Sequence, residues 1–383
     1  MTITNKLGLY LHIPFCVRKC GYCDFLSFPC SDSKILSEYA VALMQEIKIK
    51  STSWRYREVD SVYIGGGTPS LITEWDMGRI LDCLRDNFNI TDDAEITIEA
   101  NPATLSDDKL DRYLLKGINR ISIGVQSFEN GILEILGRIH NKNDAFYSFQ
   151  RAKKAGFENI NLDIMFGIPG QTMKIWKDTV RQCIFLRPSH ISLYSLQIEE
   201  GTEFYKMIYE DGKMEPTPEI TDREMYHTAL KMMRTAGYDH YEISNAALPG
   251  YRSRHNMKYW SYDEYIGMGL GASSFIDGSR FRNCSNMHDY ITAIKEKIPP
   301  IDAGSVENYG PKEEMGIYVF TGLRKSEGIS LEEFRNVFKH EFFDVFDRSI
   351  LDRYKGMLIF DGERLYLSER GMDISNVIMS EFV

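Results

Sequence analysis

From residue 9 to about residue 200, short β-branched apolar runs alternate with longer amphipathic ones. The apolar runs are Leu9–Ile13, Val59–Ile64, Glu95–Ala100, Arg120–Val125, Asn159–Phe166 and His190–Leu196. Their length and composition are those of strands buried on both faces. Between them the pattern predicts helices near 34–50, 73–88, 106–117, 143–155 and 171–186. Thr73 before Glu74, and Ser106 before Asp107-Asp108, supply N-terminal helix signals. Six strands separated by helices make a parallel α/β sheet. An open doubly wound sheet and a TIM-like barrel both satisfy that alternation, and the polar residues separate them. Gly65-Gly66-Gly67-Thr68, Glu99-Ala100-Asn101-Pro102, Gln126-Ser127 and Gly167-Ile168-Pro169-Gly170 each end a different strand. In a parallel barrel those ends converge on one mouth, where ligands bind. A partial (β/α)6 TIM-like barrel over residues 1–200 is therefore expected.

After residue 200 the alternation stops. Thr217-Pro218 opens a helical run to Ala236, and a stretch dense in Tyr, Arg, Asn and Gly runs from Tyr238 to Phe275. Residues 201–323 read as an extension of the barrel. From about Gly328 the order is helix, helix, then a hairpin of Met357–Phe360 and Arg364–Leu367 around Asp361-Gly362-Glu363. Residues 324–383 thus outline an α+β, winged-helix-like module. It holds nine Lys/Arg and twelve Asp/Glu, a net of −3. A DNA-reading wing is basic, so a packing or lid role is expected.

The 383 residues carry a formal net charge of −10, which argues against a general nucleic-acid binder. No apolar stretch is long enough to span a bilayer, and the first residues show no basic-then-apolar signal pattern. Seven cysteines, three of them crowded together, do not form a secreted disulfide framework and point to a reducing cytoplasm.

Those three are the main chemical signal. Cys16, Cys20 and Cys23 stand in one short loop, C-V-R-K-C-G-Y-C, directly after the first strand. Three thiolates so spaced can hold three corners of a [4Fe–4S] cube and leave the fourth iron open to a ligand. Structural zinc would need a fourth ligand in a second pair or a C…H arrangement, and Cys30 has no partner in such a knuckle. Gly65-Gly66-Gly67 lets backbone approach a ligand closely, or serves only as a tight turn. Glu99, Asp163 and Gln126 put polar groups on buried strands, where ribose hydroxyls or an arginine, with Arg138 as candidate, would satisfy them. His12 reads equally as a cluster neighbour or a core histidine. His255 lies in R-S-R-H-N-M-K-Y-W, residues 252–260, which reads as a polar loop or as a haem contact, with imidazole for iron and arginines for propionates.

Taken together, these segments resemble the radical S-adenosylmethionine (radical SAM) superfamily, within it the branch of oxygen-independent coproporphyrinogen dehydrogenases. The matching stretches are Tyr10–Phe25, Gly65–Pro69, Glu99–Pro102, Gly124–Phe128, Leu136–His140, Asn161–Thr172, Ser192–Thr202, Tyr241–Asn245 and Gly250–Trp260. Within the branch the chain resembles the HemW family of haem chaperones. Phe25 stands where the dehydrogenase has a further cysteine, H-N-x-x-Y-W is present at residues 255–260, and nine residues precede Tyr10. The resemblance implies a cluster on Cys16, Cys20 and Cys23, with S-adenosylmethionine on the open iron lined by Tyr10, Tyr22, Gly66 and Glu99. Gly67, Thr68, Gln126, Arg138 and Asp163 match positions that hold a second S-adenosylmethionine in the dehydrogenase. It further implies haem, an acceptor haemoprotein and an electron donor as partners, with His255 as haem ligand. One departure is that Gly269–Phe275 reads G-L-G-A-S-S-F, where such chaperones often carry a histidine. The alternative activity is a radical enzyme acting on a tetrapyrrole, by coproporphyrinogen decarboxylation or haem ring opening.

Overall fold

All six apolar runs form strands: β1 (Leu7–Ile13), β2 (Glu58–Gly66), β3 (Asn89–Ala100), β4 (Arg120–Gln126), β5 (Asn159–Phe166) and β6 (His190–Ser195). The computed structural model describes residues 6–383; the first five residues of the 1–200 region lie outside the described residues. The six strands pair in parallel, each with the next. The helices between them are α1 (Ser33–Trp54), α2 (Glu74–Asn87), α3 (Asp107–Leu115), α4 (Asn130–Ile135), α5 (Lys142–Ala155) and α6 (Met173–Leu186). Thr73, Ser106, Asn141 and Thr172 cap α2, α3, α5 and α6, each side chain accepting a backbone N–H of the first turn. The short α4 was not expected from the pattern.

The segment beyond residue 200 adds strands to both edges. These are β7 (Asp239–Glu242), β8 (Asn245–Ala247), β9 (Tyr265–Met268), β10 (Ser273–Ile276), β11 (Ser279–Arg282) and β12 (Glu307–Asn308). The sheet has 12 strands in the order β12-β11-β10-β9-β1-β2-β3-β4-β5-β6-β8-β7. β9 joins β1 in parallel, a seventh parallel strand that the alternation did not reveal. The two end strands do not pair with each other, so the barrel is open. Helices α7 (Glu219–Thr235), α8 (Arg254–Trp260), α9 (Met287–Lys295) and α10 (Pro311–Gly322) complete this part.

Each parallel strand has two unlike faces, because side chains alternate with period two. Leu9, Leu11, Val62, Ile64, Ile96, Ile98, Ile121, Ile123, Leu162, Ile164, Ile191 and Leu193 form the core beneath the helices. The intervening positions carry Tyr10, His12, Ser61, Tyr63, Thr97, Glu99, Arg120, Ser122, Asn161, Asp163, His190 and Ser192. The strands are buried on both faces as expected, one face apolar and the lumen face polar. These groups satisfy one another. Asn161 Nδ2 donates to Ser122 Oγ, Asp163 Oδ1 and Ser192 Oγ at 2.7, 2.7 and 3.0 Å, and its Oδ1 meets His190 Nδ1 at 2.6 Å.

A buried charge pair ties β9 to α1. Lys50 lies 3.0 Å from Glu46, and both are withdrawn from water. Glu46 also accepts from the Gly269 N–H, Asn283 Nδ2 and Tyr290 Oη, each at 2.7 Å. Lys50 donates to the Gly267 carbonyl and Asn283 Oδ1.

The C-terminal module has its own core, in which Phe334, Phe342, Phe346 and Phe382 pack with Leu365 and Leu367. Met315, Tyr318 and Val319 of α10 pack into the same core. Its three strands, β13 (Ile329–Ser330), β14 (Leu358–Phe360) and β15 (Arg364–Leu367), form an antiparallel sheet in the order β13-β15-β14, with the hairpin at the expected place.

Candidate functional site

The cysteine loop leaves the C-terminal end of β1 and is pinned at its base. Phe15–Cys16 pairs with Phe28–Pro29, and the Cys30 N–H donates to the Cys16 carbonyl at 2.8 Å. The glycine turn after β2 is stitched to the same base, with Gly67 N–H donating to Ile13 O and Thr68 N–H to Phe15 O, both at 2.8 Å. A Cβ on Gly67 would lie 2.6 Å from the Phe15 carbonyl oxygen, and one on Gly66 (φ +114°) would lie 2.7 Å from the His12 ring. Only glycine permits this approach. The three thiols are free and half-buried. Thr68 Oγ1 donates to Cys16 Sγ at 3.5 Å and Arg138 Nη1 to Cys20 Sγ at 3.7 Å. Burial pushes the Cys23 thiol up, against the Phe25 N–H that favours its thiolate. Among the described residues no three His, Cys, Asp or Glu converge tightly enough to hold a single metal ion.

Beside the loop, the barrel mouth presents a carboxyl held in fixed geometry. Glu99 accepts from Tyr63 Oη at 2.8 Å and from the Gly66 N–H at 3.1 Å. Desolvation and the charge of Asp163 push Glu99 up to about 7, opposed by those two hydrogen bonds and by Arg120. Tyr10 Oη meets His12 Nδ1 at 2.9 Å, and His12 Nε2 meets the Leu26 carbonyl at 2.8 Å, so His12 braces the far end of the cysteine loop. Asp163 is likewise raised by desolvation and answered by Ser192, Asn161, Ser122 and Arg120. The cation whose field reaches both carboxyls is thus Arg120, and this corrects the expectation that Arg138 is their partner.

Arg138 belongs to the cysteine loop instead. The turn after α4 brings it there, with its Nη2 donating to the Gly124 carbonyl at 2.7 Å and its guanidinium hydrogen-bonded to Tyr22. Arg18 reaches across from the loop to the Gly137 carbonyl at 2.7 Å. Gln126 sits at a register shift in β4, in the left-handed region at φ 63°. Its Oε1 and the Nε of Arg138 are buried without a partner. The structure therefore gathers Tyr10, Tyr22, Gly66, Gly67, Thr68, Glu99, Gln126, Arg138 and Asp163 around the strand ends and cysteine loop.

His255 lies apart from that group. Helix α8, capped by Ser253, carries it into the lumen, where it is fully buried. Glu95 accepts from the His255 N–H at 3.2 Å, at the helix N-terminus. Ser61 Oγ meets Nδ1 and Tyr259 Oη meets Nε2, each at 2.9 Å, and the ring stacks on Tyr63. Burial, with Lys258 and Arg120 nearby, lowers its pKa to about 3, so the ring is neutral. Tyr259 and Trp260, the last residues of the same segment, line a cavity of about 400 Å³ together with Tyr10, His12 and the 271–275 turn. Tyr262, Tyr265 and Phe275, from the Tyr-dense stretch, and Arg280, which no sequence signal marks, form more of its wall.

Residues 10–183 match the family described as the Radical SAM superfamily, and residues 311–374 match the HemN C-terminal domain. The chain is 34% identical to the protein named Heme chaperone HemW of Lactococcus lactis, over 98% of this chain and 96% of that one. It is 36% identical to the protein of the same name from Bacillus subtilis, over 98% of each. Its fold matches that of the coproporphyrinogen III oxidase HemN of Escherichia coli, a radical SAM enzyme, with a TM-score of 0.87 at 22% identity; the match covers 99% of this chain and 91% of that one. The chain belongs to the HemW family of the radical SAM superfamily.

Proposed function

We propose that this protein binds haem and passes it to an acceptor haemoprotein in the cytoplasm. In this reading it carries a [4Fe–4S] cluster on Cys16, Cys20 and Cys23, and S-adenosylmethionine on the open iron. The observation that carries it is the thiol triplet beside a glycine-lined, carboxyl-bearing barrel mouth, in a chain that aligns end to end with proteins named haem chaperones. The donor set suits the cube. Three free thiols in one loop can each take a different iron and leave the fourth iron open. When bound, the reduced cluster supplies one electron, drawn from a donor protein, to whatever occupies its open iron.

The chain's own residues would orient that occupant. Glu99 accepts the ammonium of the methionine group, the Gly66–Gly67 turn admits it, and Tyr10 and Tyr22 flank it. Gln126 and Arg138 offer the buried polar atoms that lack partners, and with Gly67, Thr68 and Asp163 would hold a second molecule. His255 would reach haem iron only by giving up its bonds to Ser61 and Tyr259. Residues 1–200 would carry the cofactors, 201–323 the haem-contacting segment, and 324–383 would cover it. Among the described residues no helix is long and apolar enough to cross a membrane.

The test is haem transfer. Protein with its reconstituted cluster, loaded with ferric haem under anaerobic conditions, should yield the absorption spectrum of the holo-acceptor when mixed with an apo-haemoprotein. Retention of all haem, or steady conversion of coproporphyrinogen to protoporphyrinogen under reductant, would replace this reading with the enzymatic one. A separate expectation concerns Glu99. A carboxyl that ionises near 7 is neutral at lower pH and accepts an ammonium only when charged. Affinity for S-adenosylmethionine should therefore rise from pH 6 to pH 8. Glu99→Gln should lower it by about 10–100-fold, the worth of a charge-assisted hydrogen bond, and should flatten the pH dependence. Isothermal titration of the variant across that pH range reads both.

A further inference from the structure

We propose that haem seats in the cavity walled by Tyr259, Trp260, Tyr262, Tyr265, Phe275 and Arg280, and that His255 is a positioning residue for Tyr259 and not the iron ligand. This rests on the haem reading above and names the place of binding. The cavity, about 400 Å³, lies between the β9–β10 turn and α10, the helix that packs into the core of the C-terminal module, and it opens on Tyr10 and His12 beside the cysteine loop. Its volume is in the range of small-molecule sites. Its walls are aromatic rings held at fixed angles: Tyr259 meets Tyr265 edge-on with centroids 4.6 Å apart, and Tyr262 meets Phe275 at 4.7 Å. Such walls suit a flat, apolar macrocycle.

Three polar features suit the carboxylates of its edge. Arg280 is exposed at the rim, hydrogen-bonded to Tyr265. Of the nearby carboxylates, Glu264 is engaged with Arg57, away from the cavity, and Glu307 with Tyr309 of its wall, while Glu314 stands near Tyr262. Trp260 Nε1 and Tyr262 Oη are buried with no partner, a cost that an incoming acceptor would offset. Tyr262 is also held in the left-handed region at φ 59°. One acid, Asp263, also lines the cavity, in the field of Lys325. His255 stands behind this wall, its Nε2 bonded to the Tyr259 hydroxyl, so its part in the H-N-x-x-Y-W segment is to fix the ring that faces the ligand.

A rival seat exists. A cavity of about 760 Å³ between α1 and α9 has an apolar floor with Trp54 and Phe281 and a rim with Lys48, Lys295 and Lys297. None of residues 255–260 is among its lining, and that lining includes no buried polar atom without a partner.

The test is a ferric haem titration of the full, cluster-reconstituted protein, followed in the visible spectrum. Arg280→Glu and Ser273→Trp, the latter filling the cavity from the first position of β10, should each weaken binding by about tenfold or more while iron–sulfur content stays constant. Tyr259→Phe should weaken it less. His255→Gln, which keeps hydrogen-bonding capacity toward Tyr259, should leave the haem spectrum unchanged, and Lys297→Glu should leave the affinity unchanged. Undiminished binding in both Arg280→Glu and Ser273→Trp, weakening by Lys297→Glu, or a changed iron spectrum in His255→Gln would each overturn the placement. If the wild-type protein binds no haem, the proposed function itself fails, and that outcome is distinct from a misplaced site.

Discussion

Alanine at Cys20 is expected to leave the anaerobically reconstituted protein without its cluster. Two thiolates anchor a cube too weakly to keep it. Cys20 is also the corner that the buried Arg138 guanidinium faces, so its loss removes both an iron ligand and the anion that this cation answers. Iron and sulfide should fall from about four of each per chain to near zero, with loss of the broad visible absorption of the cluster. The contrast is Cys30→Ala. Cys30 closes the loop through its backbone N–H, which alanine retains, so that variant should keep its full iron content. Iron and sulfide analysis of both variants checks the pair; equal loss in the two would mean that the loop, and not a set of three thiolates, is what the metal needs.

Glu46→Ala should produce the largest loss of stability of any single change in the barrel. It strands Lys50 as an uncompensated charge in a dry interior and leaves the Gly269 N–H, Asn283 and Tyr290 without their acceptor. Breaking one partner of a buried pair costs about 3–5 kcal/mol, which in a chain of this size lowers the thermal midpoint by roughly 4–6 °C. The effect should reach the mouth, because the Gly269 N–H that Glu46 holds sits where the chain passes closest to β1. A Cβ on Gly269 would lie 2.4 Å from the His12 carbonyl oxygen. Changing Glu46 and Lys50 together to methionine should recover only part of the loss, since the three donors of the network stay unpaired. Thermal unfolding by circular dichroism reads both variants.

The strands and main helices of the barrel were legible because their apolar residues recur with an unmistakable period, and the C-terminal hairpin because Asp361-Gly362-Glu363 marks its turn. The polar face of each strand is equally written in the sequence, as in L-Y-L-H-I or N-L-D-I, but only Glu99, Asp163 and Gln126 stand out from the Ile- and Leu-rich runs as polar groups on buried strands. Which residues meet across the lumen depends on register, and no local pattern carries that. Arg138 is only a candidate for the lumen carboxyls in the sequence, because nothing there announces α4, whose following turn swings it to Cys20, while Arg120 lies inside a strand. Strand β9 was hidden for a related reason: four residues from a distant segment pair with β1 only after the chain has doubled back. His255 stood out by its company of arginines and aromatics, yet that company divides between a buried network and a cavity wall only once α8 is folded.

Electron paramagnetic resonance of the dithionite-reduced protein, recorded with and without S-adenosylmethionine, tests most directly whether three thiolates leave an iron open to a ligand. A [4Fe–4S] signal whose shape changes on adding S-adenosylmethionine is the expected result. A signal indifferent to S-adenosylmethionine, or zinc in place of iron at Cys16, Cys20 and Cys23, would contradict it.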